Sequence, residues 1–204
     1  MSNAPVYNLN PTDFWADPYP ALAEMRALGP VVYVPQFDRA MIVQRDAIIN
    51  SEPLIEVFSS EQPEGLMTTL LGQNLMRRDG DPHKAERKAL FPCVSPKTAR
   101  DHWTAIFRSE AEAILAELSQ KDSADLFMEY GTRLSAQCLI KVTGLETATW
   151  QEMDVWSQAM IDGIANYSGD PEVEARCNAA TAAVDAAIDA LLPNVGPERA
   201  LDML

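Results

Sequence analysis

The chain has 204 residues, 47% of them hydrophobic, and a formal net charge of −14 at pH 7. This length is enough for one large or two small domains with a hydrophobic core. The acidic balance argues against a nucleic-acid-binding protein, because such proteins need a basic surface. No apolar run reaches the length of a membrane span, and the first residues carry no signal-peptide pattern. We therefore expect a cytoplasmic protein that binds neither nucleic acid nor membrane.

The three cysteines, Cys93, Cys138 and Cys177, are widely spaced. Their small, odd number favours reduced thiols over a disulfide framework. None has the spacing of a metal-ligand motif, so the sequence predicts no metal ligand within the chain.

The first part of the chain predicts a mixed α and β structure. Residues 1–16, rich in Pro and Asn, predict an extended arm. Asp17-Pro18 begins a helix that Gly29-Pro30 ends. Apolar runs at residues 31–34 and 40–43 are typical of two short strands joined as a hairpin.

A short helix and an irregular segment follow the hairpin. Asp46 is expected to cap a helix over residues 47–51. Residues 52–76 are irregular, apart from one or two helical turns at residues 64–71. Long irregular segments within compact domains tend to be functional or disordered.

The rest of the chain is dominated by helical patterns. Helices are predicted over residues 97–120, 126–142, 150–167 and 172–192, with a further one beginning at Gly196-Pro197. The helix over residues 97–120 is amphipathic, and its apolar stripe is predicted to be core. The stripe comprises Trp103, Ile106, Phe107, Ala111, Ile114, Leu115 and Leu118.

Between these regions lies a helix start with an unusual concentration of basic residues. Gly80 breaks the preceding segment, Asp81 can cap the helix, and Pro82 suits its first position. His83 and Arg87 are four residues apart and share one face. The basic residues around this start are Arg77, Arg78, His83, Lys84, Arg87 and Lys88.

A helix N-terminus already carries partial positive charge, so these cations predict an external anion such as a carboxylate or a phosphate. On spacing alone, a solvated surface helix is the alternative.

The segment Asp79-Gly80-Asp81-Pro82-His83-x-x-x-Arg87, followed by Ser95-Pro96, resembles the helix C signature of the cytochrome P-450 family. The earlier order of helix, Gly-Pro, hairpin and short helix also resembles the N-terminal region of that family. The resemblance implies that His83 and Arg87 bind the two haem propionates, with Leu75 and Met76 as possible haem contacts. Val94 stands where the family commonly has Phe, and Pro92 is expected to end or bend the helix early.

The resemblance implies a mainly α fold with a small β-hairpin, the N-terminal half of a single cytochrome P-450 domain, helices A to G. Residues 1–45 would form the arm, first helix and hairpin, and residues 46–81 the short helix and substrate loop. Residues 82–204 would form helices C to G and the start of H. Candidate substrate contacts are Leu66, Met67, Leu70, Leu71, Met160, Ile161, Ile164 and Tyr167; ordinary core packing is the alternative for each.

The chain lacks the Phe-x-x-Gly-x-x-x-x-Cys-x-Gly loop that supplies the iron ligand in this family, the Glu-x-x-Arg pair of its helix K and the acid-Thr oxygen-activating segment of its helix I. We therefore expect a longer protein, with the catalytic half and the Cys thiolate beyond residue 204. The intact protein would be a haem-dependent monooxygenase that contains haem b and inserts one oxygen atom of O₂ into a small apolar substrate. The 204-residue chain alone is expected to be inactive.

Electrons would come from an acidic ferredoxin or flavodoxin, docked near Lys84, Lys88 and Arg77; these residues could instead serve only solubility. Two other readings remain open. The chain could be a haem-free acidic helical binding or regulatory domain, or the stretch over residues 77–88 could bind a free phosphate ligand.

Overall fold

The computed structural model describes residues 3–194, and within that range the protein is mainly α-helical with one small antiparallel sheet. The helices, in chain order, are α1 Pro11–Ala16, α2 Tyr19–Leu28, α3 Arg45–Ser51, α4 Leu66–Leu71, α5 Gly80–Val94, α6 Pro96–Thr98, α7 Thr104–Leu118, α8 Arg133–Thr143, α9 Trp150–Ile164 and α10 Pro171–Leu191. The strands are β1 Val31–Val34 and β2 Arg39–Ile42. The helix predicted from Gly196-Pro197 lies outside the described residues.

Shorter helical turns connect several of these elements. The 3₁₀ turns are Pro35–Phe37, Leu75–Arg77 and Leu192–Asn194, and the π-helical turns are Ala99–Trp103 and Leu126–Thr132. The described residues divide into two compact units, one that ends at Ser60 and one that begins at Glu61.

The predicted hairpin forms the centre of the first unit. Strands β1 and β2 pair antiparallel, with Val31 opposite Ile42 and Val34 opposite Arg39. Side chains alternate across a strand, so Val32 and Val34 share the buried face. Their partners in this core are Leu9, Met25 and Val43.

The prediction of an extended arm over residues 1–16 is wrong for its second half, which forms α1. Asn10 precedes the helix, and its side-chain oxygen accepts a hydrogen bond from the backbone N–H of Thr12 at 3.1 Å. Phe14 then packs edge-on against Phe37, with ring centroids 5.9 Å apart. A side-chain cap and an aromatic contact therefore outweigh the extended preference of this Pro- and Asn-rich segment.

Helix α3 begins earlier than predicted, so Asp46 lies in its first turn and is not the cap. The residue before the helix is Gln44, which is extended and whose side-chain amide donates to the Arg26 carbonyl at 3.2 Å. The Asp46 carboxylate still favours the positive end of the helix dipole.

In the second unit, α6, a π-helical turn and α7 form one continuous segment, close to the predicted residues 97–120. Trp103, Ile114 and Leu118 of the predicted stripe are buried. Leu115 is 47% exposed, so its assignment to the core is wrong. One residue along a helix rotates the side chain by about 100°, which turns Leu115 away from the face that buries Ile114.

Helices α8, α9 and α10 surround a second core. The predicted helix over residues 126–142 is present as a π-helical turn followed by α8, and Gly144 ends it in the left-handed conformation. Thr149 and Glu152 form a capping box at the start of α9. The Thr149 backbone N–H and hydroxyl both donate to the Glu152 carboxylate, which favours its charged form and lowers the pKa of Glu152.

Helix α9 ends at Ile164, three residues before the predicted end. The buried Asn166 side chain accepts a hydrogen bond from the Asp170 N–H and donates one to the Asp170 carbonyl. These side-chain bonds compete with the backbone hydrogen bonds of a helix, so α9 ends here and the chain turns before α10 begins.

Helices α9 and α10 approach each other closely at Gly163. A Cβ atom at this position would lie 2.4 Å from Cys177 Sγ and 2.5 Å from Cys177 Cβ. Both residues are buried, and Cys177 is 0% exposed. The absence of a side chain at residue 163 therefore sets the spacing of the two helices.

We expect Gly163→Ala to lower the free energy of unfolding by roughly 1–3 kcal/mol, because overpacking forces the helices apart. This loss should appear even though alanine is the better helix former by about 1 kcal/mol. Urea denaturation followed by circular dichroism measures it.

The matched control is Gly131→Ala, whose added Cβ would meet its nearest neighbour, the Leu126 carbonyl, at an ordinary 3.5 Å. This variant should be neutral or slightly stabilised. Equal destabilisation by both substitutions would contradict the packing account.

Candidate functional site

The basic cluster predicted from the sequence lies along α5. The helix begins at Gly80, whose φ of +58° is in the left-handed region that favours glycine. Asp79 is the residue before the helix, and Asp81 lies within the first turn. The prediction that Asp81 caps the helix is therefore wrong, although its charge still suits the helix start.

One face of α5 borders an open concavity of about 480 Å³. It is lined by His83, Lys84, Arg87, Lys88, Phe91 and Pro92. No carboxylate is among these lining residues. The face is cationic towards the start of the helix and apolar towards its end, so it suits a ligand with an anionic head and an apolar body.

The carboxylates of α5 are paired with other cations. Asp81 pairs with Lys84 at 3.3 Å, and Glu86 forms an ion pair with Arg78, with Oε1 and Nε 2.7 Å apart and both side chains about one-third exposed. Among residues 3–194, neither His83 nor Arg87 forms an ion pair with a carboxylate. These two side chains are thus available to an anion from outside the described chain.

Arg77 adds a further donor beside this helix start. Its Nε atom is buried and has no hydrogen-bond partner within the described part of the chain. Its carbonyl accepts from the Gln73 side chain at 2.6 Å, which fixes the backbone before α5. A buried donor without a partner is costly, so an anion at this position would satisfy it.

The end of α5 differs from the prediction that was made for Pro92. The helix continues through Pro92 to Val94 and does not end early. Thr98 Oγ1 donates to the Pro92 carbonyl at 2.6 Å, and Trp103 Nε1 donates to the Cys93 carbonyl at 2.7 Å. These side chains occupy carbonyls that the helix itself leaves free, which compensates for the proline.

Thr98 and Trp103 therefore position α5, a role that the sequence analysis missed. The signal was present in Ser95-Pro96. Ser95 Oγ accepts the Thr98 N–H at 3.1 Å and starts the next helix immediately beneath the end of α5.

The structure brings some predicted substrate contacts together and separates others. Helix α4 packs on α9 and α10, and Leu70 Cδ1 lies 3.3 Å from the Cβ position of Gly163. The half-buried candidates on these helices are Leu66, Met67, Leu70, Leu71, Met160 and Ile164. Ile161 is exposed. Tyr167 lies in the loop after α9 and is 88% exposed.

The two possible haem contacts lie in the 3₁₀ turn before α5. Leu75 is half-buried and Met76 is 63% exposed. Asn74 holds this turn, because its side chain accepts the Met76 N–H at 3.0 Å.

A second concavity, of about 290 Å³, lies between the π-helical turn Leu126–Thr132, α8 and α9. Its lining contains one carboxylate, Asp154, and no cation. It is therefore unsuited to the anion that the sequence predicts.

Two kinds of feature are absent from residues 3–194. No group of His, Cys, Asp or Glu side chains in that range is arranged to hold a metal ion. No helix in that range combines the length and apolar character that a membrane span requires.

No protein-family model matches the chain. It is 21% identical over 171 residues to pulcherriminic acid synthase of Bacillus subtilis (strain 168), a match that covers 83% of this chain and 42% of that protein. It superposes on a cytochrome P-450 of Chondromyces apiculatus with a TM-score of 0.70 and 14% identity, covering 97% of this chain and 49% of that one. The chain spans less than half the length of each.

The described fold is thus that of about half of a cytochrome P-450, and the predicted fold class is confirmed. Sequence and structure together relate the chain to the cytochrome P-450s over the part of that fold which it spans.

The hydrogen bond from Trp103 to the Cys93 carbonyl should contribute measurably to stability. We expect Trp103→Phe to lower the free energy of unfolding by about 1–3 kcal/mol, because the buried carbonyl loses its donor. Chemical denaturation measures the loss.

Trp156→Phe is the control. Trp156 is half-buried in α9, and its indole N–H has no hydrogen-bond partner among the described residues. A loss at Trp156 as large as that at Trp103 would count against a specific role for the hydrogen bond.

Proposed function

We propose that this chain is part of a haem-dependent monooxygenase and that His83 and Arg87 bind the two propionates of haem b. The observation that carries the proposal is the cationic face of α5, where these two side chains have no carboxylate partner within residues 3–194. The relationship to the cytochrome P-450s supports the same cofactor.

The donor set of this face fits haem propionates. Arg87 presents a planar guanidinium, which matches a carboxylate, and His83 lies one turn earlier on the same face. Phe91 and Pro92 supply apolar surface one turn beyond Arg87. A porphyrin combines paired carboxylates with a large apolar ring. Its carboxylates would contact the cationic end of the face, and its ring the apolar end.

Haem iron with a thiolate ligand would supply oxygen activation when bound. The residues of this chain would orient the cofactor through its propionates and cover the substrate. We propose that the Cys ligand belongs to a further part of the protein, and that residues 1–204 form the N-terminal part of one cytochrome P-450 domain. We place this protein in the cytoplasm, acting on a small apolar substrate with O₂ and electrons from a redox partner.

The packing of α4 on α9 supports the proposed substrate contacts. Leu66, Leu70 and Leu71 on α4 would face substrate together with Met160 and Ile164 on α9; this group comes from helices that are in contact. Tyr167 would contribute from the adjoining loop. Leu75 and Met76 would contact the haem from the turn before α5.

The proposal is tested by His83→Ala/Arg87→Ala in the complete polypeptide. Each charge-assisted hydrogen bond contributes about 1.5–3 kcal/mol, so losing both should weaken haem binding by a factor of about 100 or more. Haem per polypeptide, measured by the pyridine haemochrome assay after purification, reports the effect.

The matched control is Lys97→Ala/Arg100→Ala, which removes two exposed cations outside α5. We expect this variant to retain haem. Equal haem content in the two double variants would refute the propionate assignment. Binding of inorganic phosphate in place of haem by the unsubstituted protein would favour the phosphate-site alternative.

We further propose that Lys84 and Lys88 receive an acidic ferredoxin or flavodoxin. Both side chains are exposed, and a positive area on an acidic protein attracts an acidic partner. We expect Lys84→Glu/Lys88→Glu to slow reduction by a ferredoxin at low ionic strength at least tenfold, with a smaller effect in 0.5 M salt.

Lys97→Glu/Arg100→Glu makes the same change in net charge on exposed residues outside α5. Stopped-flow reduction of the haem compares the two variants. Identical rates for both would remove the case for docking on α5.

A further inference from the structure

The concavity of about 290 Å³ between the π-helical turn Leu126–Thr132, α8 and α9 has no role in the proposed haem site. None of its lining residues is among the proposed haem or substrate contacts. The lining combines a carboxylate, hydroxyl groups and apolar surface, which is the composition of a small-molecule site. Its volume lies at the lower end of the range for such sites, so the ligand is expected to be small.

The carboxylate of this concavity has no partner of its own. Asp154 is half-buried and forms neither a hydrogen bond nor an ion pair within the described part of the chain. Helix α9 and the π-helical turn contain no Lys or Arg. The two cations of α8 are paired elsewhere, Arg133 with Glu117 and Lys141 with Glu146. A cation for Asp154 must therefore come from outside the elements that form the concavity.

Hydroxyl groups line the same space. Ser157 follows Asp154 by three residues on α9, so the two side chains share one face of the helix. Thr132 and Ser135 add two further hydroxyl groups from the neighbouring segment. Hydroxyl and carboxylate oxygens accept hydrogen bonds, so this set suits a group with several N–H donors. A primary ammonium group has three such donors and one positive charge.

Apolar side chains complete the lining. Phe127 and Leu139 border the concavity and are 76% and 40% exposed. This apolar surface favours an organic ligand over a hydrated inorganic cation, and the face of a Phe ring attracts a positive charge. The turn that carries the ring is held in place by Asp125, whose side chain accepts the Phe127 N–H at 2.9 Å.

We propose that this concavity binds a small primary amine in its ammonium form. The nitrogen donates to Asp154 and Ser157, and the apolar body of the ligand lies against Phe127 and Leu139. This inference goes beyond the proposed function and does not depend on haem.

Cyclohexylamine is the probe, because it is protonated at pH 7 as the Lys amine is and carries an apolar ring. Incorporation of 4-fluorophenylalanine places a fluorine label at Phe127, and the loss of one resonance in Phe127→Leu assigns it. The shift of that resonance with amine concentration gives a dissociation constant for this concavity alone. Amine bound elsewhere, such as at a haem iron, does not contribute to it.

We expect cyclohexylamine to bind roughly tenfold more tightly than cyclohexanol, which has the same ring and no charge. Asp154→Asn should weaken binding of the amine by a factor of about ten or more, because the ligand loses its charged acceptor. Ser157→Ala should weaken it about threefold, because one neutral acceptor is lost.

The matched control is Asp189→Asn, which makes the same change in net charge at an exposed position of α10. It should leave the dissociation constant unchanged. Equal weakening by Asp154→Asn and Asp189→Asn would overturn the site, since it would mean a general attraction of cations to an acidic protein. A Phe127 resonance that does not shift with amine up to about 10 mM would overturn it too. Neither result bears on the propionate assignment, which haem content tests.

Discussion

The ion pairs Arg78–Glu86 and Lys84–Asp81 occupy both carboxylates of α5. The other cations of that helix therefore have no carboxylate on α5 with which to pair. His83 and Arg87 remain on a face that contains no anion of its own. In a chain with a formal net charge of −14, such a face is unusual, since acidic side chains are abundant elsewhere. The cations are thus arranged for a ligand, and a dicarboxylate with an apolar body matches them.

The position of this face depends on support at both ends of the helix. Before it, the Gln73 amide and the Arg78–Glu86 pair fix the incoming backbone. After it, Thr98 and Trp103 hold the last carbonyls. These contacts also explain how a helix that contains a proline near its end continues to Val94.

The helices of the second unit are organised by small residues and side-chain caps. Gly163 permits α9 and α10 to approach until Cys177 fills the space of a missing side chain. The same position receives Leu70 from α4, so one glycine links three helices. After α9, the Asn166 side chain forms hydrogen bonds with the backbone N–H and carbonyl of Asp170, and the helix ends.

Much of this fold could be predicted from the sequence, because the signals were local. Gly29-Pro30, the apolar runs at residues 31–34 and 40–43, and Gly144 each act through the backbone conformation of a few residues. The errors came from tertiary contacts that no local pattern contains. Phe37 stabilises a helix within the supposed arm, and Trp103 extends α5 past Pro92. At the candidate site the spacing of His83 and Arg87 was readable, whereas the pairing of Asp81 and Glu86 with other cations required the structure.

The central claim is that His83 and Arg87 hold an external pair of carboxylates. An experimental structure of the complete polypeptide with haem bound tests it most directly. The account predicts a propionate oxygen at a hydrogen-bond distance of about 2.7–3.2 Å from an imidazole nitrogen of His83, and another at the same distance from the Arg87 guanidinium. Propionates held by other residues, with both side chains turned to solvent, would contradict it.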